Sequence, residues 1–149
     1  MPSRPYVAVC GASDADPAQS RAAEEVGRLL AERGAVVVCG GYGGVMEAAS
    51  RGAAAAGGLV VGVLPGDSRE GANEHMTVAL ATGLGQARNA VIVTAADSVI
   101  AIGGGWGTLS EIGLARRLGR RVLGLDTWAV EGLETVATPA EAVEQALRG

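Results

Sequence analysis

The chain reads SVIAIGGGWGTLSEIGLARRLG over residues 98–119, and this stretch decides the fold. Its first five residues are almost all apolar, which is typical of a strand buried on both faces of a sheet. The glycine-rich turn that follows leads to Thr108, where we expect a helix to begin and to run to Leu118 before Gly119 ends it. A strand, a short turn and a helix in this order form the repeating unit of α/β proteins with a parallel sheet.

Comparable segments recur along the chain. The first helix is marked by Asp16 as N-cap, Pro17 at the first helical position, Gln19 closing a capping box and Gly34 as the stop. The other predicted helices cover about residues 45–56, 84–95, 108–118 and a segment that begins after Thr138. The predicted strands cover residues 6–10, 35–39, 59–64, 98–102 and 122–125, and a weaker strand-like run covers 76–80. We therefore predict a single-domain Rossmann-like α/β fold over residues 1–149, with an open, doubly wound parallel sheet and helices on both faces.

The composition excludes several classes of function. The 149 residues carry a formal net charge of −4, and all 12 Lys or Arg positions are arginines. Without lysine, the chain cannot form a Schiff base with pyridoxal phosphate or supply the lysine of a P-loop. Because the arginines are scattered rather than gathered into a basic patch, we expect no nucleic-acid partner.

No membrane or metal partner is expected either. No segment is apolar over the roughly 18 residues of a membrane-spanning helix, and the first residues do not resemble a signal peptide, so we predict a cytoplasmic protein.

Cys10, Cys39 and the single histidine, His75, do not form a zinc motif. Both cysteines end apolar strands, where a thiol is usually a small buried hydrophobe. His75 lies in an irregular stretch, 65–83, that is either part of a ligand site or a solvated loop.

Three glycine-rich turns follow predicted strands. The carboxyl ends of parallel strands meet at one edge of the sheet, and ligands of such folds bind at that edge. Glycine lets backbone N–H groups turn toward an anion, and a helix N-terminus adds free donors, although tight turns also need glycine when nothing binds. We predict a phosphate-bearing ligand here, with the candidate binding residues Gly11, Ser13, Gly41, Gly43, Gly44, Gly104, Gly105, Gly107 and Thr108.

Two charged side chains are candidates for chemistry at the same edge. Arg88, which is followed by Asn89 as a further candidate binding residue, either holds a phosphate or is an ordinary surface arginine. Glu111 either forms a capping box with Thr108 or acts as a general base or a stabiliser of positive charge. No turn has the G-x-G-x-x-G pattern, so a ligand with one phosphate group is favoured over NAD.

Two apolar features have two interpretations each. Trp106, inside the third glycine turn, either stacks on a ligand or contacts a second subunit. The third predicted helix is apolar on nearly every face and must be buried, either within the monomer or in a subunit interface.

The glycine turns at 40–46 and 103–111 resemble the paired signatures of the "lonely guy" superfamily, which was long mislabelled as lysine decarboxylases. Within that superfamily, residues 62–66 and 81–89 are most similar to the molybdenum cofactor carrier branch. The similarity covers about residues 6–147.

The resemblance implies a homodimer or homotetramer that holds a phosphate at Gly104, Gly105, Gly107 and Thr108. One implied function is a carrier or sensor that binds a nucleoside 5′-monophosphate or a molybdopterin-type cofactor as its ligand and requires no other cofactor. The alternative is a phosphoribohydrolase in which Arg88 and Glu111 cleave the N-glycosidic bond of a nucleoside 5′-monophosphate.

Two departures from the family motifs bear on this alternative. The family's Pro-Gly-Gly start is Gly103-Gly104-Gly105 in this chain, and its His-x-Arg-Lys run is Gln86-Ala87-Arg88-Asn89. Since the lysine is missing, we predict that any hydrolysis is slower than in the true phosphoribohydrolases. The lack of lysine also argues against a decarboxylase that depends on pyridoxal phosphate.

Overall fold

Buried apolar strands form the centre of the protein, as the sequence predicts. The computed structural model describes residues 3–148, so Met1, Pro2 and Gly149 of the predicted domain lie outside the described residues. The strands are β1 (Tyr6–Gly11), β2 (Val36–Cys39), β3 (Leu59–Leu64), β4 (Val78–Ala81), β5 (Ser98–Ile102), β6 (Arg121–Leu125) and β7 (Glu134–Val136).

The strands form one sheet in the order β4-β3-β2-β1-β5-β6-β7, and every neighbouring pair is parallel. The register aligns Gly11 at the end of β1 with Ile102 at the end of β5, so both strands end at the same level. The strand order reverses at β1, because the chain continues from β1 toward β2 and from β5 toward β6. The connections after β1 and β5 therefore diverge and leave a crevice between them.

Helices cover both faces of the sheet. They are α1 (Pro17–Glu32), α2 (Val45–Ala55), α3 (Arg88–Ala95), α4 (Trp106–Arg117) and α5 (Pro139–Ala146), and a short 3₁₀ turn, Gly85–Ala87, precedes α3. Side chains of α1, α2 and α5 pack on one face against residues such as Val9 and Ile100 of the sheet. Side chains of α3 and α4 pack on the other face against alternate strand residues such as Ala8 and Ala101.

The predicted fold class is confirmed, with differences in detail. The weak strand-like run at 76–80 is the edge strand β4, shifted to Val78–Ala81, and β7 was not predicted. The third helix is an α-helix only from Arg88, because the residues before it form the 3₁₀ turn. The cap of α1 is confirmed: the Asp16 carboxylate accepts from the Gln19 N–H at 2.8 Å, and the Gln19 side-chain oxygen accepts from the Asp16 N–H at 3.2 Å. Among residues 3–148, no helix has both the length and the apolar character needed to cross a membrane.

Candidate functional site

A cavity of about 490 Å³ lies in the crevice between the connections that follow β1 and β5. This is the position at which open α/β sheets bind their ligands. The structure brings most of the predicted site residues together on its walls. These are Gly11, Ser13, Arg88, Asn89, Gly104, Gly105, Gly107, Thr108 and Glu111.

One wall of the cavity is the N-terminus of α4. The helix begins at Trp106 with Gly105 as its N-cap, and no side chain accepts a hydrogen bond from its first turn. The first N–H groups of a helix have no partner within the helix, so those of α4 remain available to an anion. Gly104 has a φ of +133°, and a Cβ at this position would lie 2.6 Å from Thr108, so the turn needs glycine here.

The expected start of this helix at Thr108, and the capping box with Glu111, are wrong. Thr108 is the third residue of α4 rather than its cap, because the helix begins two residues earlier than the sequence pattern suggests. Its side chain is buried against Gly104. Glu111 is therefore not bound to a capping residue and lines the cavity from the second turn of α4.

Arg88, the first residue of α3, lines the same cavity. Its guanidinium lies over the Tyr42 ring, 5.8 Å from the ring centroid, and packs against Gly40. A Cβ at residue 40 would lie 3.0 Å from the Arg88 Cζ atom and 2.8 Å from the Met46 sulfur. Glycine at this position therefore leaves the space that the Arg88 side chain occupies. The Arg88 Nε atom is buried and has no hydrogen-bond partner among residues 3–148.

Burial raises the pKa of two groups that line the cavity, Glu111 and Cys10. It raises the pKa of Glu111 from 4.5 to about 7, although the positive charge of Arg88 opposes this shift. Burial, reinforced by the negative charge of Glu111, also raises the pKa of the Cys10 thiol, which lines the cavity. Glu111 therefore changes its protonation near neutral pH, whereas Cys10 stays a thiol.

The second glycine turn supports the site from outside. Gly41, Gly43 and Gly44 do not line the cavity. Gly44 has a φ of +67° and packs against the backbone of Ala12 and Ser13, and the Ala12 carbonyl accepts the N–H of Val45 at 2.9 Å. The first N–H of α2 is therefore occupied by the β1 connection.

Sequence reasoning missed several residues that line the cavity. They are Val9, Cys10, Ala12, Asp14, Gly40, Met46 and Gln86. Gln86 belongs to the four-residue run that ends in Asn89, so its position in that motif was an available signal. Asp14 adds a second carboxyl group to the lining beside Glu111, and no sequence pattern marks it.

The remaining candidates lie at the rim or elsewhere. Trp106 is 85% exposed and stands on the wall of the cavity. His75 does not line the cavity; its N–H donates to the Asn73 side chain at 3.0 Å within the connection between β3 and β4. In the part of the chain that the structure describes, no three His, Cys, Asp or Glu side chains are grouped as metal ligands would be.

Comparison with solved structures finds close similarity to proteins named for a cofactor. The molybdenum cofactor binding protein from Rippkaea orientalis superposes with a TM-score of 0.91 and 34% identity, over 96% of this chain and 95% of that one. The molybdenum cofactor carrier protein from Chlamydomonas reinhardtii gives a TM-score of 0.89 and 31% identity, over 99% and 100% of the two chains.

Sequence comparison finds two further relatives. An uncharacterized protein from Archaeoglobus fulgidus is 45% identical over 92% of this chain and 91% of its own length. A probable cytokinin riboside 5′-monophosphate phosphoribohydrolase from Oryza sativa subsp. japonica is 38% identical over 69% of this chain, which corresponds to 44% of the rice protein. The model of the SLOG cluster4 family matches residues 4–147. The chain therefore belongs to the SLOG cluster4 family, within the superfamily that includes the molybdenum cofactor carriers and the "lonely guy" proteins.

Proposed function

We propose that this protein binds a phosphorylated small molecule, either a nucleoside 5′-monophosphate or a molybdopterin-type cofactor, and acts as its carrier or sensor. The ligand's phosphate lies at Gly104, Gly105, Gly107 and Thr108, at the N-terminus of α4. The resemblance to proteins named as molybdenum cofactor carriers supports this class of ligand.

One observation carries the proposal: an uncapped helix N-terminus and the Arg88 guanidinium line the same cavity. The helix contributes backbone N–H donors and the positive end of its dipole, and the arginine contributes a full positive charge. The buried Nε of Arg88 lacks a partner among the described residues, and such a donor is unfavourable unless a ligand or water accepts its hydrogen bond. A phosphate group would satisfy both sets of donors.

Direct binding measurements test this proposal. Ligand retained on the gently purified protein would be identified by mass spectrometry, and ribose 5-phosphate would be titrated by calorimetry. We expect Arg88→Ala to weaken ribose 5-phosphate binding about tenfold or more, since a hydrogen bond to a charged group contributes roughly 1.5–3 kcal/mol. Arg69→Ala is the control, because it removes an exposed arginine that does not line this cavity. Equal affinities of the two variants would contradict the proposal.

The second candidate function is a phosphoribohydrolase, and the position of Glu111 favours it. A carboxyl group with a pKa of about 7 beside an arginine can exchange a proton near neutral pH. In this reaction the N-glycosidic bond breaks, water adds to the ribose carbon, and the base leaves with a proton. Glu111 would activate the water or stabilise the positive charge that develops on the ribose, while Arg88 holds the phosphate or polarises the ribose.

Incubation with adenosine monophosphate separates the two functions. A carrier releases no adenine, and Glu111→Gln then leaves binding nearly unchanged. A hydrolase releases adenine and ribose 5-phosphate, and Glu111→Gln abolishes release while binding persists. A rate equal to that of the true phosphoribohydrolases would contradict our prediction that the missing lysine makes this chain slower.

We further propose that the protein forms a homodimer or homotetramer through α3. The helix buries Ile92 and Val93 against the sheet but leaves a mostly apolar surface open, which consists of Ala90, Val91, Thr94 and Ala95. Pairing of two such faces would complete the burial that the all-round apolar pattern predicts. Sedimentation of a strict monomer at micromolar concentration would refute this. The cytoplasmic location, the lack of a further cofactor and the lack of a nucleic-acid partner stay predictions.

A further inference from the structure

A second cavity lies beside the first, on the other side of the turn that follows β5. Its volume is about 360 Å³, and it is lined by Gln19, Gly103, Gly104, Asp126, Thr127 and Trp128. Gly104 lines both cavities, so a ligand whose phosphate binds at the start of α4 can extend across this glycine into the second one.

Gly103 makes room for the Gln19 side chain at the wall of this cavity. Its φ is +58°, a conformation that proline cannot adopt, and its N–H donates to the Leu125 carbonyl at 3.0 Å. The side of Gly103 that lacks a Cβ is filled by the Gln19 amide. Gly103 stands where the Pro-Gly-Gly pattern has proline. The departure from this pattern therefore leaves room for Gln19 at the wall of the cavity.

Among the side chains that line this cavity, Asp126 supplies the hydrogen-bond acceptors that a ligand can use. The Gln19 amide nitrogen donates to Oδ2 of Asp126 at 3.1 Å, and its oxygen accepts the N–H of Asp16 at 3.2 Å, so both ends of the amide are in use. A carboxylate can accept about four hydrogen bonds, and Asp126 is exposed. Most of its acceptor positions are therefore available to a ligand. Trp128, 39% exposed, adds an aromatic surface beside this carboxylate.

We propose that the second cavity binds the ring of the phosphorylated ligand and selects rings with a 2-amino-4-oxopyrimidine edge, as found in guanine and pterins. Such an edge presents two adjacent N–H donors, which match the two oxygens of one carboxylate. Adenine presents a ring nitrogen lone pair next to its amino group, and this lone pair repels the Asp126 carboxylate. Trp128 stacks on the face of the ring. This inference rests on the proposed binding of a phosphorylated ligand.

Calorimetric titration of the whole protein with four probes tests the proposal. Guanosine monophosphate is expected to bind most tightly, with inosine monophosphate, which lacks the 2-amino group, and adenosine monophosphate each at least about tenfold weaker. Ribose 5-phosphate reports on the phosphate cradle alone. Equal affinity for guanosine and adenosine monophosphates would overturn the proposal.

The matched variant is Asp126→Asn, which keeps the backbone because asparagine tolerates the φ of +58° found at this residue. We expect it to lose about tenfold in affinity for guanosine monophosphate and none for ribose 5-phosphate. Asp67→Asn removes the same charge from an exposed residue that lines neither cavity and should change neither affinity.

The outcomes distinguish this inference from the proposed function. If ribose 5-phosphate binds but Asp126→Asn leaves the affinity for guanosine monophosphate unchanged, the ring subsite is refuted and the phosphate cradle stands. If none of the four probes binds, the proposed function fails and this inference fails with it.

Discussion

Replacing Glu111 with glutamine should stabilise the protein at alkaline pH and leave its stability nearly unchanged in acid. The carboxyl group is held among cavity walls that disfavour its charged form, and burial raises its pKa from 4.5 to about 7. Glutamine keeps the shape of the side chain and has no proton to lose. The variant therefore removes the cost of ionising this position in the folded protein.

The size of the effect follows from the pKa. Between pH 4.5 and pH 7 the folded chain binds the Glu111 proton more tightly than the unfolded chain, so wild-type stability falls as the pH rises through this window. Each pKa unit corresponds to about 1.4 kcal/mol, which puts the full cost at about 3 kcal/mol above pH 7. The variant should exceed the wild type by about this free energy of unfolding at pH 8 and by almost nothing at pH 4.

Urea unfolding followed by circular dichroism at pH 4, 6 and 8, at fixed protein concentration, measures this difference. Glu131→Gln is the matched control, because it makes the same chemical change on an exposed side chain. A difference between Glu111→Gln and wild type that stays constant from pH 4 to pH 8 would refute the reasoning, since it would show that the residue acts through packing rather than charge.

Three further substitutions test the local geometry. Gly40→Ala should displace the Arg88 guanidinium and weaken ribose 5-phosphate binding about tenfold in calorimetry, and an unchanged affinity would contradict this. Asp16→Ala removes the cap of α1 and should lower the free energy of unfolding by about 1 kcal/mol; a loss near zero in urea would count against the cap. Gly103→Pro removes the N–H bonded to Leu125 and cannot adopt the observed φ, so thermal and urea unfolding should show a loss of about 2 kcal/mol or more.

The fold could be predicted because its strongest signals are local. The apolar run of β5, the turn after it and the cap at Asp16 each specify structure within a few residues. β7 was missed because it has only three residues, Glu134–Val136, and none of them is buried. A strand this short shows no hydrophobic period, and its place beside β6 depends on the sheet already being formed.

The site could be predicted only in part, because the local glycine signal does not say which glycines contact a ligand. A glycine in a turn looks the same in the sequence in two different situations. It can let backbone N–H groups bind an anion, or it can let two backbone segments approach each other closely. Gly104 lines the cavity, whereas Gly44 packs against the connection after β1, and only the folded chain separates these uses. The hydrogen bond between Gln19 and Asp126 joins residues 107 positions apart, so no local pattern could reveal it.

The two tryptophans of the chain stand on different cavities, Trp106 on the larger one and Trp128 on the smaller. Indole fluorescence shifts when water around the ring is replaced, so the intrinsic emission of this protein contains one reporter for each cavity. In Trp106→Phe the remaining signal comes from the smaller cavity, and in Trp128→Phe it comes from the larger one. A titration of each variant would therefore show, without any added label, which part of a ligand enters which cavity and in what order.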